Sequence, residues 1–399
     1  MRVLYINTVF EKGSTGRIVK DLGTMVEENG GEYRAIYGRG YSEDYHAIKL
    51  TNKIDAFFHA LFSRITDRAG FYSKKSTEHM VKYIKKYNPD IIHLHNLHGY
   101  YINIEILFKY LKNEYKGKVI WTLHDCWAFT GHCVHYSWVK CNRWKTECFN
   151  CPEKKRYPKS LCQDNSKKNF LDKKNLLIGV PNLIIVTPSV WLANQVRESF
   201  LNKYRIEIIN NGIDLDIFKV KKEKTEKNNN EKKIILSVMD GFDERKGCYD
   251  LIKLSKILPS KYQIIIVGIN KKDKKKFPKN IKVIERTKNI NKLVEYYNKA
   301  TYFINLTYED TFPTVNIEAL ACGTPVITYN SCGSIECLSD KSGAIVQKEN
   351  IQELKEIILT DKFNFNDCQN RAKYFDKKVK YKEYMFLYKE EDYENSFFD

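Results

Sequence analysis

The sequence predicts an α/β protein made of two doubly wound parallel-sheet domains with helices at the C-terminus. Three observations predict it. Short β-branched runs alternate with segments of helical periodicity, the pattern of a parallel sheet covered on both faces. The alternation stops at a polar Lys/Glu/Asn stretch, residues 219–233, and then begins again. Finally, 399 residues exceed one ordinary core, and a 43% hydrophobic content can fill two.

In chain order, Val3 to Val9 reads as a buried strand. It is followed by the turn Gly13-Ser14-Thr15-Gly16 and by Ile18, Leu22, Met25 and Val26 at helical spacing. Glu32 to Tyr37 is a second strand. Ile54, Phe57, Phe58, Leu61 and Ile65 form an apolar helical stripe. Packing of this stripe on the N-terminal sheet is the plainer reading; docking on an anionic membrane surface is the functional one. A helix from Met80 to Tyr87 stops at Pro89. Strands Ile91 to His95 and Val119 to Leu123 flank a helix, Ile104 to Leu111. A cysteine-rich insert, 126–162, breaks the rhythm, and Ile184 to Val186 and Val190 to Phe200 restore it as strand and helix. After the polar stretch come strands Ile234 to Val238, Gln263 to Val267, Tyr302 to Leu306 and Pro325 to Thr328, with helices between them. The expected division is 1–190 for an N-terminal domain, 191–365 for a C-terminal domain and 366–399 for a helical tail that packs back on the first.

The net charge of +18 calls for anionic partners such as phosphorylated substrates or a membrane surface. The lysines are scattered and do not alternate with aromatics, which argues against nucleic acid. No apolar run is long enough to span a bilayer, and the N-terminus lacks the features of an export signal, so a cytoplasmic protein is expected.

Open parallel sheets bind ligands at the carboxyl ends of their strands, and five such segments stand out. Gly13 to Gly16 offers a helix start that a ligand backbone can approach closely. Thr122-Leu123-His124-Asp125 ends a strand. Glu244-Arg245-Lys246-Gly247 sets two cations beside a helix, a pattern that neutralises a diphosphate. In Tyr308 to Val326 an acidic loop leads into a helix opened by Pro313. The free N–H groups of Thr314 and Val315 then face an anion, and Asp310 and Glu318 stand eight residues apart. Cys332-Gly333-Ser334-Ile335-Glu336 is a second glycine-bearing turn with an acid just inside a helix.

The order and spacing of Arg245-Lys246, Asp310 to Glu318, Gly323-Thr324-Pro325 and Gly333 to Glu336 resemble the donor-binding signature of the retaining glycosyltransferases of family 4 (glycosyltransferases group 1). Those enzymes have the GT-B fold, two Rossmann-like domains facing a cleft. The glycine loop and Thr122-x-His124 match it too. The chain departs from the commonest form in carrying Asp310 where Glu is usual and Cys332 where glycine is frequent. The resemblance implies transfer from a nucleoside-diphosphate sugar to a glycan or lipid-linked acceptor, with retention, in bacterial surface-polysaccharide synthesis. Arg245 and Lys246 would hold the diphosphate, and the N–H groups of Thr314 and Val315 its distal phosphate. Glu318 would bind the ribose. Asp310 and His124 would contact the transferred sugar, and Gly13 and Gly16 would border the donor. No catalytic metal is implied.

Two other functions fit parts of the chain: a sugar-nucleotide epimerase on the same scaffold, and a zinc-containing protein binding nucleic acid or acting as a scaffold. The insert supports the zinc. Six of the eleven cysteines lie between Cys126 and Cys162, and Cys148-x-x-Cys151 is the usual half of a zinc site. Cys133 and Cys141 are the best other half. A structural zinc, free buried thiols and a redox pair remain the alternatives.

Overall fold

The computed structural model describes residues 1–221, 232–287, 289–360 and 363–390. Most of the polar stretch expected as a linker, and the end of the tail, lie outside them. The chain divides into two compact units, 1–210 with 381–399, and 211–380.

The first unit runs β1(Arg2–Asn7), α1(Gly13–Glu28), β2(Glu32–Tyr37), β3(Ala47–Lys49), α2(Lys53–Thr66), α3(Lys74–Tyr87), β4(Ile91–Leu94), α4(Ile104–Asn113), β5(Lys118–Thr122), α5(Ser166–Leu177), β6(Leu183–Thr187), α6(Val190–Arg197) and β7(Arg205–Ile208). Its seven strands are all parallel, in the order β3-β2-β1-β4-β5-β6-β7. Successive strand residues point to opposite faces, and β1 shows it: Leu4 and Ile6 enter one core with Ile92, Leu107 and Trp121. Val3 and Tyr5 enter the other with Val19, Leu22 and Tyr384. Expected with the second domain, α6 and β7 belong here, because β7 extends the first sheet by pairing with β6.

The second unit runs β8(Lys233–Val238), α7(Cys248–Ile257), β9(Tyr262–Val267), β10(Ile281–Ile284), α8(Ile290–Lys299), β11(Tyr302–Asn305), α9(Thr314–Ala321), β12(Val326–Tyr329), β13(Gly343–Val346), α10(Ile351–Thr360) and α11(Phe365–Lys373). The six parallel strands are ordered β10-β9-β8-β11-β12-β13. Pro313, at φ −72°, precedes the first turn of α9, and Gly323, at φ 68°, follows its end. The Asp214-Leu215-Asp216 pair is structural: the two carboxylates pair with Lys377 and Lys378, each at 2.8 Å.

The last helix, α12(Lys377–Lys389), starts among residues of the second unit and, from Tyr381 on, is part of the first. Polar contacts to buried strand residues fix it there. The Tyr388 hydroxyl lies 2.6 Å from His93 Nδ1 and 3.2 Å from the Tyr5 hydroxyl. The Tyr384 hydroxyl lies 3.1 Å from Thr122 Oγ1. Lys118, buried in β5, donates to the Leu387 carbonyl at 3.1 Å, placing a cation at the helix C-terminus, where the dipole favours it.

The stripe on α2 does not pack on the sheet. Ile54, Phe57, Phe58, Leu61 and Ile65 are exposed, and the helix buries His59 and Ser63 instead. The reason lies beneath it. His59 Nδ1 pairs with Ser73 Oγ at 2.8 Å, and its Nε2 accepts from the Gly70 N–H at 3.2 Å, a polar seat that holds the helix by its hydrophilic side.

Because the Tyr388 hydroxyl serves two buried partners, Tyr388→Phe is expected to destabilise the first unit by about 1–3 kcal/mol through the orphaned His93 nitrogen. Urea unfolding of the purified chain measures this, and an unchanged midpoint would show that the contact carries no net stability.

Candidate functional site

Each sheet reverses its winding at one point, between β1 and β4 in the first unit and between β8 and β11 in the second. Loops leaving the carboxyl ends of the two strands diverge there and open a crevice. Three of the predicted segments follow β1, β8 and β11 at these points, and the other two follow the adjacent strands β5 and β12.

In the second unit Arg245 and Lys246 lie on a 3-10 turn, Glu244–Lys246, after β8. Gly247 follows at φ 75°, and a Cβ there would stand 2.4 Å from the Leu306 carbonyl oxygen, so only glycine lets the turn meet the end of β11 this closely. The acidic loop comes from β11. The Tyr308 N–H donates to the Arg245 carbonyl at 2.7 Å, which joins the two loops through backbone. Side chains join them again: Lys246 Nζ lies 2.9 Å from Asp310 Oδ2, and Arg245 Nη1 lies 3.1 Å from the buried Glu309 carboxylate. Arg245 also pairs with Asp243 at 2.9 Å. The Gly333 N–H donates to the Asp310 carbonyl at 3.1 Å, bringing the fifth predicted segment against the fourth. Cys332 before it sits at φ 47°, the left-handed region that favours glycine.

Pro313 gives α9 no side-chain cap, so the leading N–H groups at Thr314 and Val315 keep the positive end of the helix for an anion. Glu318 is placed differently from Asp310. It is buried, and its carboxylate accepts from the Tyr297 hydroxyl at 2.9 Å. Sequence reasoning passed over Glu309, whose adjacency to Asp310 was the available signal. It also passed over Lys348, which no motif marks and which donates to the Tyr308 carbonyl at 3.0 Å.

In the first unit Gly13 opens α1 at φ 68°. A Cβ on Gly16 would lie 3.1 Å from the Phe10 backbone, so the turn folds tightly on itself. His124 is not isolated. Its Nε2 lies 3.0 Å from His95 Nδ1, with the rings nearly parallel, and His95 stacks on His93 with centroids 4.2 Å apart. Burial holds His124 down at about 4 and His93 and His95 well below the usual imidazole value, so all three are neutral near pH 7. His95 Nε2 is buried without a hydrogen-bond partner among the described residues. Beside them His98 Nε2 is 2.6 Å from Asp125 Oδ2. Burial raises the Asp125 carboxyl, but the charge and hydrogen bond of His98 and the nearby His135 outweigh it and hold the group at about 2. Sequence reasoning found His124 and missed His95 and His98, which stand one strand over.

Cys133, Cys141, Cys148 and Cys151 come together, with His132, around one small pocket. Among the described residues no group of three or more His, Cys, Asp or Glu is arranged to hold a metal ion. The thiols are engaged locally: Cys133 and Cys151, both free, share a side-chain hydrogen bond, and Cys148 Sγ accepts from the Gly131 N–H at 3.2 Å. Burial pushes the Cys148 thiol up to about 12, so it stays protonated. The staple that the insert needs is aromatic. Trp144, Phe129 and Tyr136 pack in the core, and buried Lys173 donates to the Trp127 and Thr130 carbonyls at 2.7 and 3.0 Å.

Residues 219–374 match the family described as glycosyl transferases group 1. WcaC of Escherichia coli (strain K12), to which glycosyl transfer in colanic acid biosynthesis is ascribed, is 24% identical over 379 residues, 90% of each chain. Among solved structures, the sucrose-phosphate synthase of Thermosynechococcus elongatus aligns with a TM-score of 0.69 at 16% identity over 97% of this chain and 98% of that one. The Alr3699/HepE protein of Anabaena, solved in complex with UDP, aligns with a TM-score of 0.66 at 14% identity over 97% and 99%. The fold is that of the two-domain GT-B proteins, with two Rossmann-like parallel-sheet domains.

The buried neutral imidazoles set a pH dependence. His124 is free of a proton in the fold down to about pH 4, whereas in the unfolded chain it takes one up below about 6.5. Its folded value is depressed, so its stabilisation is present above 6.5 and is lost as pH falls through that window, by up to about 1.4 kcal/mol per pH unit. His59, held at about 3 by burial, adds the same sign. Unfolding free energy is therefore expected to drop from pH 7 to pH 4.5, less steeply in His124→Gln; a flat profile in the parent chain would contradict the buried neutral state.

Proposed function

We propose that the chain transfers a sugar from a nucleoside-diphosphate sugar to a glycan or lipid-linked acceptor, with retention, in the synthesis of a bacterial surface polysaccharide. The observation that carries this reading is the junction at the β8/β11 switch point. Two cations, a short acidic loop and an uncapped helix start meet there, within the segment that matches the group 1 glycosyltransferases. The relative ascribed to colanic acid synthesis supports the polysaccharide, and the UDP complex of the HepE protein supports the nucleotide donor.

The chemistry needs a leaving group whose charge is neutralised as it departs. The bond between the anomeric carbon and the diphosphate oxygen breaks, and the acceptor hydroxyl bonds the same face of that carbon. The hydroxyl proton passes to the departing phosphate. Negative charge builds on the diphosphate, where Arg245, Lys246 and the N–H groups at Thr314 and Val315 oppose it. Asp310 and Arg245–Glu309 hold the two cations in place before the donor arrives, so little reorganisation is needed at the reaction. Asp310 is assigned to hydroxyls of the transferred sugar and Glu318, anchored by Tyr297, to the ribose side of the nucleotide. In the first unit His124 and the turn Gly13 to Gly16 are assigned to sugar and acceptor recognition. A neutral imidazole there both donates and accepts hydrogen bonds, which suits sugar hydroxyls.

A thermal-shift panel of nucleoside diphosphates and their sugars identifies the donor, since a ligand bound only by the folded state stabilises it. With that donor, Lys246→Ala is expected to lose about 10²–10³-fold in turnover at an unchanged thermal midpoint; near-parental transfer would remove Lys246 from the diphosphate site. Asp310→Ala is expected to damage turnover with nucleotide affinity largely kept, and Glu318→Ala to weaken nucleotide affinity first. Equal effects of the two on binding of the nucleoside monophosphate would refute that division.

A further inference from the structure

Helix α2 is built the wrong way round for a soluble surface. Ile54, Phe57, Phe58, Leu61, Phe62 and Ile65 recur at three- and four-residue spacing on its outward face and are between 37% and 67% exposed. The rings form a continuous layer, with Phe57 edge-on to Phe58 at 5.6 Å and Phe58 stacked on Phe62 at 6.0 Å. Leu161, 61% exposed, extends it, because its N–H donates to the Arg64 carbonyl. The inward face is the polar one, seated on Ser73 and Gly70 through His59. Six large apolar side chains in contact with water forgo the free energy of burial, and apolar patches of this kind mark an interaction surface.

Charge decides among the occupants. Between residues 53 and 86 there are eight Lys and Arg against three Asp and Glu. Lys53 and Arg64 are exposed on α2 itself, and Lys74 and Lys75 are exposed at the start of α3, next in sequence to the Ser73 that seats His59. On the helix itself the lone acid, Asp55, is taken up by the Ser73 and Ser76 hydroxyls. A rim this basic repels a second copy of a chain that carries +18 overall. It attracts an anionic bilayer, where aromatic and aliphatic side chains enter the headgroup boundary and lysines meet lipid phosphates. At 14 residues α2 is about 21 Å long, and no helix among the described residues is long and apolar enough to cross a membrane, so it would lie in the interface plane.

We propose that the outward face of α2, with Leu161 and its basic rim, docks the chain on an anionic lipid surface. The proposal does not rest on the catalytic reading above. The test is co-sedimentation of the full chain with phosphatidylcholine vesicles and with vesicles containing phosphatidylglycerol, at low and high salt. Expected are binding to the phosphatidylglycerol vesicles, weakening as salt rises, and at least a tenfold loss in the double variant Phe57→Ser, Phe58→Ser at an unchanged thermal midpoint. Lys74→Glu with Lys75→Glu should weaken binding while leaving the apolar face intact. Parental binding by the phenylalanine variant, or equal binding to both vesicle types, would overturn the proposal. So would a parent chain that ignores vesicles and is dimeric in solution until Phe57 and Phe58 are replaced, because the face would then be a contact between copies.

Discussion

Everything at the candidate site depends on where each parallel sheet changes its direction of winding. A strand added on one side of β8 sends its connection one way, and a strand added on the other side sends it the other, so the loops after β8 and β11 part company. Ligand-binding groups can occupy that gap without displacing any core residue. The core pays no penalty for their polarity, because the middle residues of the two strands, Ile235 and Leu236 in β8 and Phe303 and Ile304 in β11, are apolar and buried. The same rule puts Gly13, His95 and His124 after β1, β4 and β5 of the first sheet.

Within that gap the cations and carboxylates are arranged as partners. An isolated Arg or Lys at a half-buried turn would be mobile and strongly hydrated. Paired with Glu309 and Asp310, each is held in one place, and Gly247 lets the backbone of one loop touch the other. A buried pair is weak evidence for stability, but here it has a second effect: it fixes cations where a diphosphate could take over one side of the pairing.

The α/β alternation, the strands β1, β4, β5, β8 and β11, and the acidic loop before α9 were all legible, because period-2 and period-3.6 patterns and Gly/Pro punctuation are local properties of the chain. What was not legible depended on partners distant in sequence. The apolar stripe on α2 reads identically whether it faces a sheet or water; only the seat formed by Ser73 and Gly70 decides it. The four cysteines read as metal ligands from spacing, whereas the bond of the Gly131 N–H to Cys148 and the packing of Trp144 on Tyr136 are tertiary contacts that spacing does not carry. His95 was hidden inside a strand pattern, and Lys348 lies 38 residues beyond Asp310 with no motif of its own. Where within residues 190–232 the first unit ends was not legible, because the pairing of β7 with β6, which decides it, is itself a tertiary contact.

The path of α12 has a consequence for how the chain is made. Residues 211–380 are topologically an insertion in the first unit, whose last piece arrives only with Tyr381 and beyond. The two ends of the insertion are tied to each other, since the Ile213 N–H donates to the Phe375 carbonyl at 2.9 Å. During synthesis the first sheet must therefore wait, with His93, Thr122 and Lys118 lacking their partners from α12, while the whole of the inserted unit emerges and folds. A nascent chain stalled before residue 381 would hold a finished second unit and an unfinished first one. A premature stop near the C-terminus would accordingly injure the N-terminal half of the molecule more than the half that immediately precedes it.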